Sequence, residues 1–360
     1  MKLGTFIMPL HPPEKSRTEG FDEDVDFVVY ADQLDFTEAW MGQHLTLSWE
    51  PVPSNDVFLA NLIARTKNII LAAGVSILPQ HHPANVAARA ATLDHLLHGR
   101  FYWGFGQGGV PTDWELTGIP SDPKIQGEMT GEALDMILKL WTLDPPFNLS
   151  GKFWQCKVED NYNAQLEMGY PIKPYQQPHP PIGMTLMGAK SKGGWIGGQR
   201  GYMPLSTNLV HQSTVAEHWR TYCAGATDAG RPDPDRNIWR ISRSIFIGES
   251  DDQAWDACMN GTFARSFEYL ISLLKSAKML NLVKRDSEMP DKEVTIEYML
   301  KEICLIGSKQ SVQDQLAALF DITGGFGTLL FIKHDFDDLK AWKRCMEVLA
   351  NEIVPAAPSC

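Results

Sequence analysis

NIILAAGVSILPQHHPANVAARAATLDHLLHGRFYWGFGQGG, residues 68–109, reads as strand, polar turn, helix, strand and glycine turn. Ile69–Leu78 is apolar and partly β-branched, the pattern of a strand covered on both faces. Pro79 ends it. Pro83, with its fixed φ and missing N–H, suits the first turn of a helix. Val86, Arg89, Ala90, Leu93, Leu96 and Leu97 follow at helical spacing, and Gly99 suits the cap beyond them. Arg100–Phe105 is a second strand. One β-α-β unit thus closes within about forty residues. Ligands of such units gather where the strands end, here Gln80–His82 and Gly106–Gly109.

The same alternation extends both ways. Upstream, Lys2–Met8 is strand 1, and Pro9, Pro12 and Pro13 forbid a helix after it. Phe21, Val25, Val28, Val29 and Leu34 repeat at helical spacing, and Phe36–Met41 is strand 2, running into Gly42-Gln43-His44. A helix over Asp56–Lys67 leads into strand 3. Downstream, a polar loop over Val110–Lys124 precedes a helix over Gly127–Trp141. Asp144–Tyr175 is irregular, with a small β excursion at LSGKFWQC. Strands follow at Pro180–Leu186, Tyr202–Leu205, Ile238–Gly248 and Thr328–Ile332, with helical stretches between them and at Leu339–Ile353. Eight strands in βα order predict an α/β protein, a (β/α)8 TIM barrel with loop insertions, as one domain over residues 1–360.

Composition narrows the partners. The net charge is −12 and no Lys/Arg run stands out, so nucleic acid and membrane surfaces are not expected partners. No apolar run reaches transmembrane length, and strand 1 starts where a secretory leader would stand. Six scattered cysteines with no CxxC pair suit reduced thiols in a cytoplasmic protein.

Candidate sites are weighed in turn. Gly104–Gly109 matches G-x-G-x-x-G, but Val110-Pro111-Thr112 follows where a dinucleotide fold opens its helix. A glycine turn at a barrel rim, letting backbone approach a flat ligand, fits better. His44 ends strand 2, where a histidine serves as base or hydrogen-bond donor; the plain alternative is a solvated loop residue. His81 and His82 point apart with no further ligand nearby, so no metal site is expected; one suits a helix cap. Gly188-Ala189-Lys190-Ser191 opens a helix with free amides, a hydroxyl and lysines, an anion site or else a surface turn. The acids Asp22–Asp24, Asp335, Asp337 and Asp338 read as solvated faces and helix starts.

At this level the chain resembles the bacterial luciferase-like flavin monooxygenases. The resemblance rests on GTFIMPLHPPEK, on ATLDHLLHGRFYWGFGQGG against an LDxLSxGRxxxGxGxG signature, on GSKQSVQDQLAAL, and on TGGFGTLLF with MEVLANEIVP. It is closest to the limonene-monooxygenase-like branch, with similarity to diketocamphane monooxygenases. The resemblance implies FMN delivered reduced by a separate NAD(P)H:flavin reductase, with O2 as co-substrate. It implies a flavin C4a-(hydro)peroxide that oxygenates a small hydrophobic ketone, aldehyde or terpene, and a homodimer packed through the early helices. By position, His44 matches the active-site histidine, with Gln43 in place of an acid. Gly74 and Val75 match the bend of strand 3 against the flavin ring. Gln107 stands where an arginine contacts flavin, and Gly188, Ala189, Lys190 and Ser191 match the phosphate loop. Asn260–Glu297 matches a mobile lid. Two alternatives are kept: F420-dependent hydride transfer on the same barrel, and a non-catalytic flavin-binding partner subunit.

Overall fold

The computed structural model describes residues 1–335 and 337–358. Eight parallel strands close on themselves: β1 (Lys2–Leu10), β2 (Glu38–Met41), β3 (Ile70–Ile77), β4 (Phe101–Gly106), β5 (Ile182–Leu186), β6 (Met203–Ser206), β7 (Arg240–Ile247) and β8 (Thr328–His334). The ring runs in sequence order, and β8 pairs back onto β1. Leu205↔Arg240 and Ser206↔Ile241 close it between β6 and β7. The expected barrel is therefore the architecture found.

Alternation along each strand divides two cores. Leu3, Ile7, Ile69 and Leu71 belong to the outer core under the helices, while Phe6, Trp40, Ala72, Met203, Leu205, Leu330 and Ile332 fill the barrel. Trp40 fits because its neighbours have no side chain. A Cβ on Gly183 would lie 2.4 Å from the indole, and one on Gly104 would lie 2.5 Å from the Ala73 carbonyl. At the barrel floor Glu38 takes both Nε and Nη2 of Arg240 at 3.0 Å and the indole N–H of Trp40 at 2.8 Å. Both charged residues are buried. Glu38→Ala strands the Arg240 cation and is expected to lower stability by about 3–5 kcal/mol. Replacing the pair together, Glu38→Leu with Arg240→Met, should restore most of that. Urea midpoints measure both, and a single-variant loss below about 1 kcal/mol would refute the assignment.

Several expectations need correcting. Val110–Lys124 is not all loop: Pro111–Leu116 is a short helix, with Pro at its start and Asp113 in its first turn. The next helix, α5 (Pro123–Leu140), begins earlier than its apolar stripe because Asp122 caps it, accepting from the Lys124 and Ile125 amides. The acid clusters are not uniformly solvated. Asp24 is fully buried, bonded to Lys333 Nζ at 2.5 Å and His11 Nε2 at 3.1 Å. Asp335 is also buried and meets Lys15 Nζ at 2.7 Å. Asp338 does cap a helix, Leu339–Val348. A short strand, Leu305–Gly307, adds to the outer end of β7 and was not expected. The LSGKFWQC excursion is the hairpin Phe147–Ser150 with Gln155–Val158.

Candidate active site

His44 lies just beyond β2 at the C-terminal rim, its backbone N–H held by the Val52 carbonyl at 3.0 Å. The imidazole stands between two carboxylates. Its Nδ1 pairs with Asp113 Oδ2 at 3.3 Å, and its Nε2 lies 3.3 Å from Glu50 Oε2. Both ring nitrogens are engaged: Nδ1 hydrogen-bonds to Asp113, and Nε2 faces Glu50. Burial disfavours the charged ring, but Glu50 and Asp113 together outweigh it and raise the pKa to about 9. His44 is thus an imidazolium at neutral pH, with a carboxylate against each ring nitrogen.

Both acids are themselves held. Thr46 Oγ1 donates to Asp113 Oδ1 at 2.5 Å, and Tyr269 donates its hydroxyl to Glu50 Oε1 at 2.8 Å. Tyr269 belongs to α9 (Thr262–Ser276), which crosses the mouth and stacks on Trp49 at 5.2 Å. The same helix is fixed over β7 and β8 through His334, whose Nδ1 meets Ser266 Oγ at 2.8 Å and whose Nε2 meets Ser244 Oγ at 2.7 Å. Gln43 accepts the Asn55 amide, and the acids around His44 come from the β2 loop and the short helix after β4.

Sequence reading missed Glu50, Asp113 and Tyr269. Asp113 had a signal, since Pro-Thr-Asp is a helix opening. Glu50 and Tyr269 meet only through the fold, 219 positions apart.

The other candidates surround the same mouth. The Gly74–Val75 peptide is cis, and the β3–β4 register shifts between Ala73 and Ser76. The Gly104 and Gly106 backbone lies against Val75, where a Cβ would approach within 2.9 and 3.0 Å. Gln107 is exposed, and its carbonyl accepts from Trp114 Nε1 at 3.2 Å. Gly188–Ser191 leads into α6 (Lys192–Arg200), which Ser191 caps by accepting the Gly194 amide. The remaining first-turn N–H groups of such a helix are left for an anion. Space beside Gly188 is open, and Lys190, Ser191 and Lys192 border a surface cavity of about 430 Å³. Trp40 fills the barrel and Trp103 packs on Trp141, while Trp49 and Trp114 stand at the rim. His82 caps the helix Pro83–Leu96, accepting the Ala84 amide.

A parallel eight-stranded barrel with an ion-paired histidine at its C-terminal rim has the frame of a barrel enzyme, whose active sites lie at that rim. The chain belongs to the luciferase-like monooxygenase family, whose model matches residues 1–324. It is 27% identical to 3,6-diketocamphane 1,6-monooxygenase of Pseudomonas putida, over 99% of this chain and 98% of that protein. It is 29% identical to limonene 1,2-monooxygenase of Rhodococcus erythropolis, over 98% and 86%. Among solved structures, the oxygenating constituent of the P. putida 3,6-diketocamphane monooxygenase, a type II Baeyer–Villiger enzyme in complex with FMN, superposes with a TM-score of 0.91 at 28% identity, covering 100% of this chain and 99% of that one.

Proposed function

We propose that this protein is the oxygenating component of a two-component flavin monooxygenase acting on a small hydrophobic ketone, aldehyde or terpene. The observation that carries the reading is full-length likeness to an FMN-bound oxygenating constituent, joined to a rim whose residues fit that group. The fit is local. Gly188 offers open space before a capped helix start, suited to a phosphate. Val75 packs its side chain against Gly104 and Gly106, which brings β3 and β4 close together where the ring is proposed to lie. Gly188, Ala189, Lys190 and Ser191 would hold the phosphate, Gly74 and Val75 the ring, and Gln107 its edge.

Reduced FMN, when bound, supplies the activation of O2. The chain's own part is to position, to exclude water and to place charge. His44 is the proposed catalytic residue: its positive charge, and the Nε2–H it shares with Glu50, stabilise negative charge on the oxygen of the substrate carbonyl. Asp113 fixes the ring's orientation, and Glu50 keeps it charged. Residues 260–297 serve as the lid over this one-domain barrel, with Tyr269 tying the lid to Glu50. A reductase supplying FMNH2 is the expected partner. Exposed Val57 and Leu96 on the early helices suit a homodimer, and the unpaired thiols suit the cytoplasm. No helix among the described residues is long and apolar enough to cross a membrane.

Oxygen uptake with reductase, NADH and FMN, in the presence of bicyclic ketones and cyclic terpenes, tests the reading. Substrate-dependent product carrying one atom from labelled dioxygen is expected. Tight F420 binding with no product from FMNH2 would replace it with the hydride-transfer alternative.

A further inference from the structure

Gln107 is neutral, yet an arginine is not missing from the region. Thr207 follows β6, Arg243 lies on the neighbouring β7, and His218 lies on α7 (Gln212–Asp228), which packs against β6. Thr207 Oγ1 and Arg243 Nη2 are buried without a hydrogen-bond partner, and His218 Nε2 has no aligned partner, only the backbone of Met187 and Gly188 beside it. His218 is 1% exposed and Arg243 2%. Native interiors rarely leave such donors unmatched, and a buried guanidinium with no acid is the costliest case. Arg243 Nη1 donates only to the Ser242 carbonyl, at 2.9 Å, and among the described residues Arg243 makes no ion pair. Burial lowers its pKa to about 10, so it remains a cation at neutral pH.

The hydrogen bonds around His218 fix which nitrogen donates. Ser206 Oγ, which accepts from Trp239 Nε1 at 3.0 Å, lies 2.9 Å from His218 Nδ1, and the Met187 and Gly188 backbone on the other side of the ring favours the proton on Nε2. Nδ1 then accepts, and the proton of the neutral ring sits on Nε2. Burial holds this histidine neutral, with a pKa of about 4. The ring lies beside the backbone of Met187 and Gly188, where the phosphate loop begins. The Thr207 amide joins the top of β6 to the same place by donating to the Leu186 carbonyl at 3.2 Å. Arg243 is within electrostatic reach of His218. His218 thus borders the loop, with Arg243 in electrostatic reach of it and Thr207 next in sequence to its partner Ser206.

We propose that His218, Arg243 and Thr207 form the buried half of the flavin phosphate site, with Gly188–Ser191 as its exposed half. The group they recognise is a phosphate monoester, whose several oxygens can take donors from separate segments at once. This rests on the flavin reading above and adds to it the residues that supply the charge.

The full chain is titrated with FMN and with riboflavin, the same ring without phosphate, by quenching of tryptophan fluorescence. The wild type is expected to prefer FMN. Arg243→Met, and separately His218→Gln, should weaken FMN binding about ten-fold or more while changing riboflavin binding less than about two-fold. Inorganic phosphate should compete with FMN on the wild type and fail to do so on Arg243→Met. Equal losses for both ligands, or unchanged FMN affinity, would overturn the proposal and leave these groups a purely structural role. If Arg243→Met does not fold, His218→Gln decides by the same ratio. A wild type that binds neither ligand overturns the flavin reading and the proposal together; one that binds both equally overturns the proposal alone.

Discussion

His44→Ala is expected to lower substrate oxygenation by about 10²–10⁴-fold while FMN affinity stays within a few-fold. The reason is placement. His44 stands at the rim with its charge set by two acids, one against each ring nitrogen. The proposed phosphate contacts lie on a different part of the rim, around Gly188. Flavin should therefore still bind, and its reoxidation should run without product. The measurement is the ratio of product formed to O2 consumed. A variant that keeps wild-type coupling would remove His44 from the chemistry and leave it a rim clamp. Asp113→Asn should fall between, because the ring loses its orienting hydrogen bond but keeps Glu50.

The second large effect is on pH dependence. His44 has a folded-state pKa of about 9, above its ordinary 6.5. Activity that needs the imidazolium should be flat through neutral pH and fall as pH rises through about 9. The same shift is a stability statement. The contribution of the charged ring is fully present below about 6.5 and is lost as pH rises through about 9. At the acid end Asp113, lowered chiefly through its bonds to His44 and Thr46 against the effect of burial, contributes above its ordinary pKa and loses that contribution as pH falls through its lower folded value. Glu50→Gln removes one of the two charges facing the ring. It should bring the alkaline limb of the rate profile down by about one pH unit or more. The groups facing this cluster are Thr46, Asp113, Glu50 and Tyr269, and only the two acids carry charge at neutral pH. An unmoved limb in Glu50→Gln would assign it to another group.

The barrel was readable because each β-α-β unit writes its periodicity locally. The two prolines around Gln80–His82 and the glycine after Leu97–His98 mark the ends of strand and helix within a few residues. His44 was readable for a similar reason, since a histidine that ends a strand of a parallel barrel already stands on the functional face. Its partners were not. Asp113 sits in a six-residue helix too short to show an apolar stripe, although its Pro-Thr-Asp opening was a usable signal. Glu50 lies in an irregular loop, and what gives it meaning is a tyrosine 219 positions later. Asp24 misled because acids in the first turns of a helix are normally solvated. Here Lys333, 309 positions away on β8, comes to meet it in the core. Arg243 and His218 were invisible for another reason. A strand arginine and a helix histidine are ordinary in sequence, and only burial without partners makes them informative.

The central claim is that the barrel holds reduced flavin during its reaction with oxygen. Photoreduced FMN with the protein is mixed rapidly with oxygenated buffer, and O2 uptake is followed alongside the return of oxidised-flavin absorbance. The account predicts that uptake runs ahead, with oxidised flavin returning later than it does for free FMNH2. Simultaneous uptake and reoxidation, at the rate of free FMNH2, would contradict it.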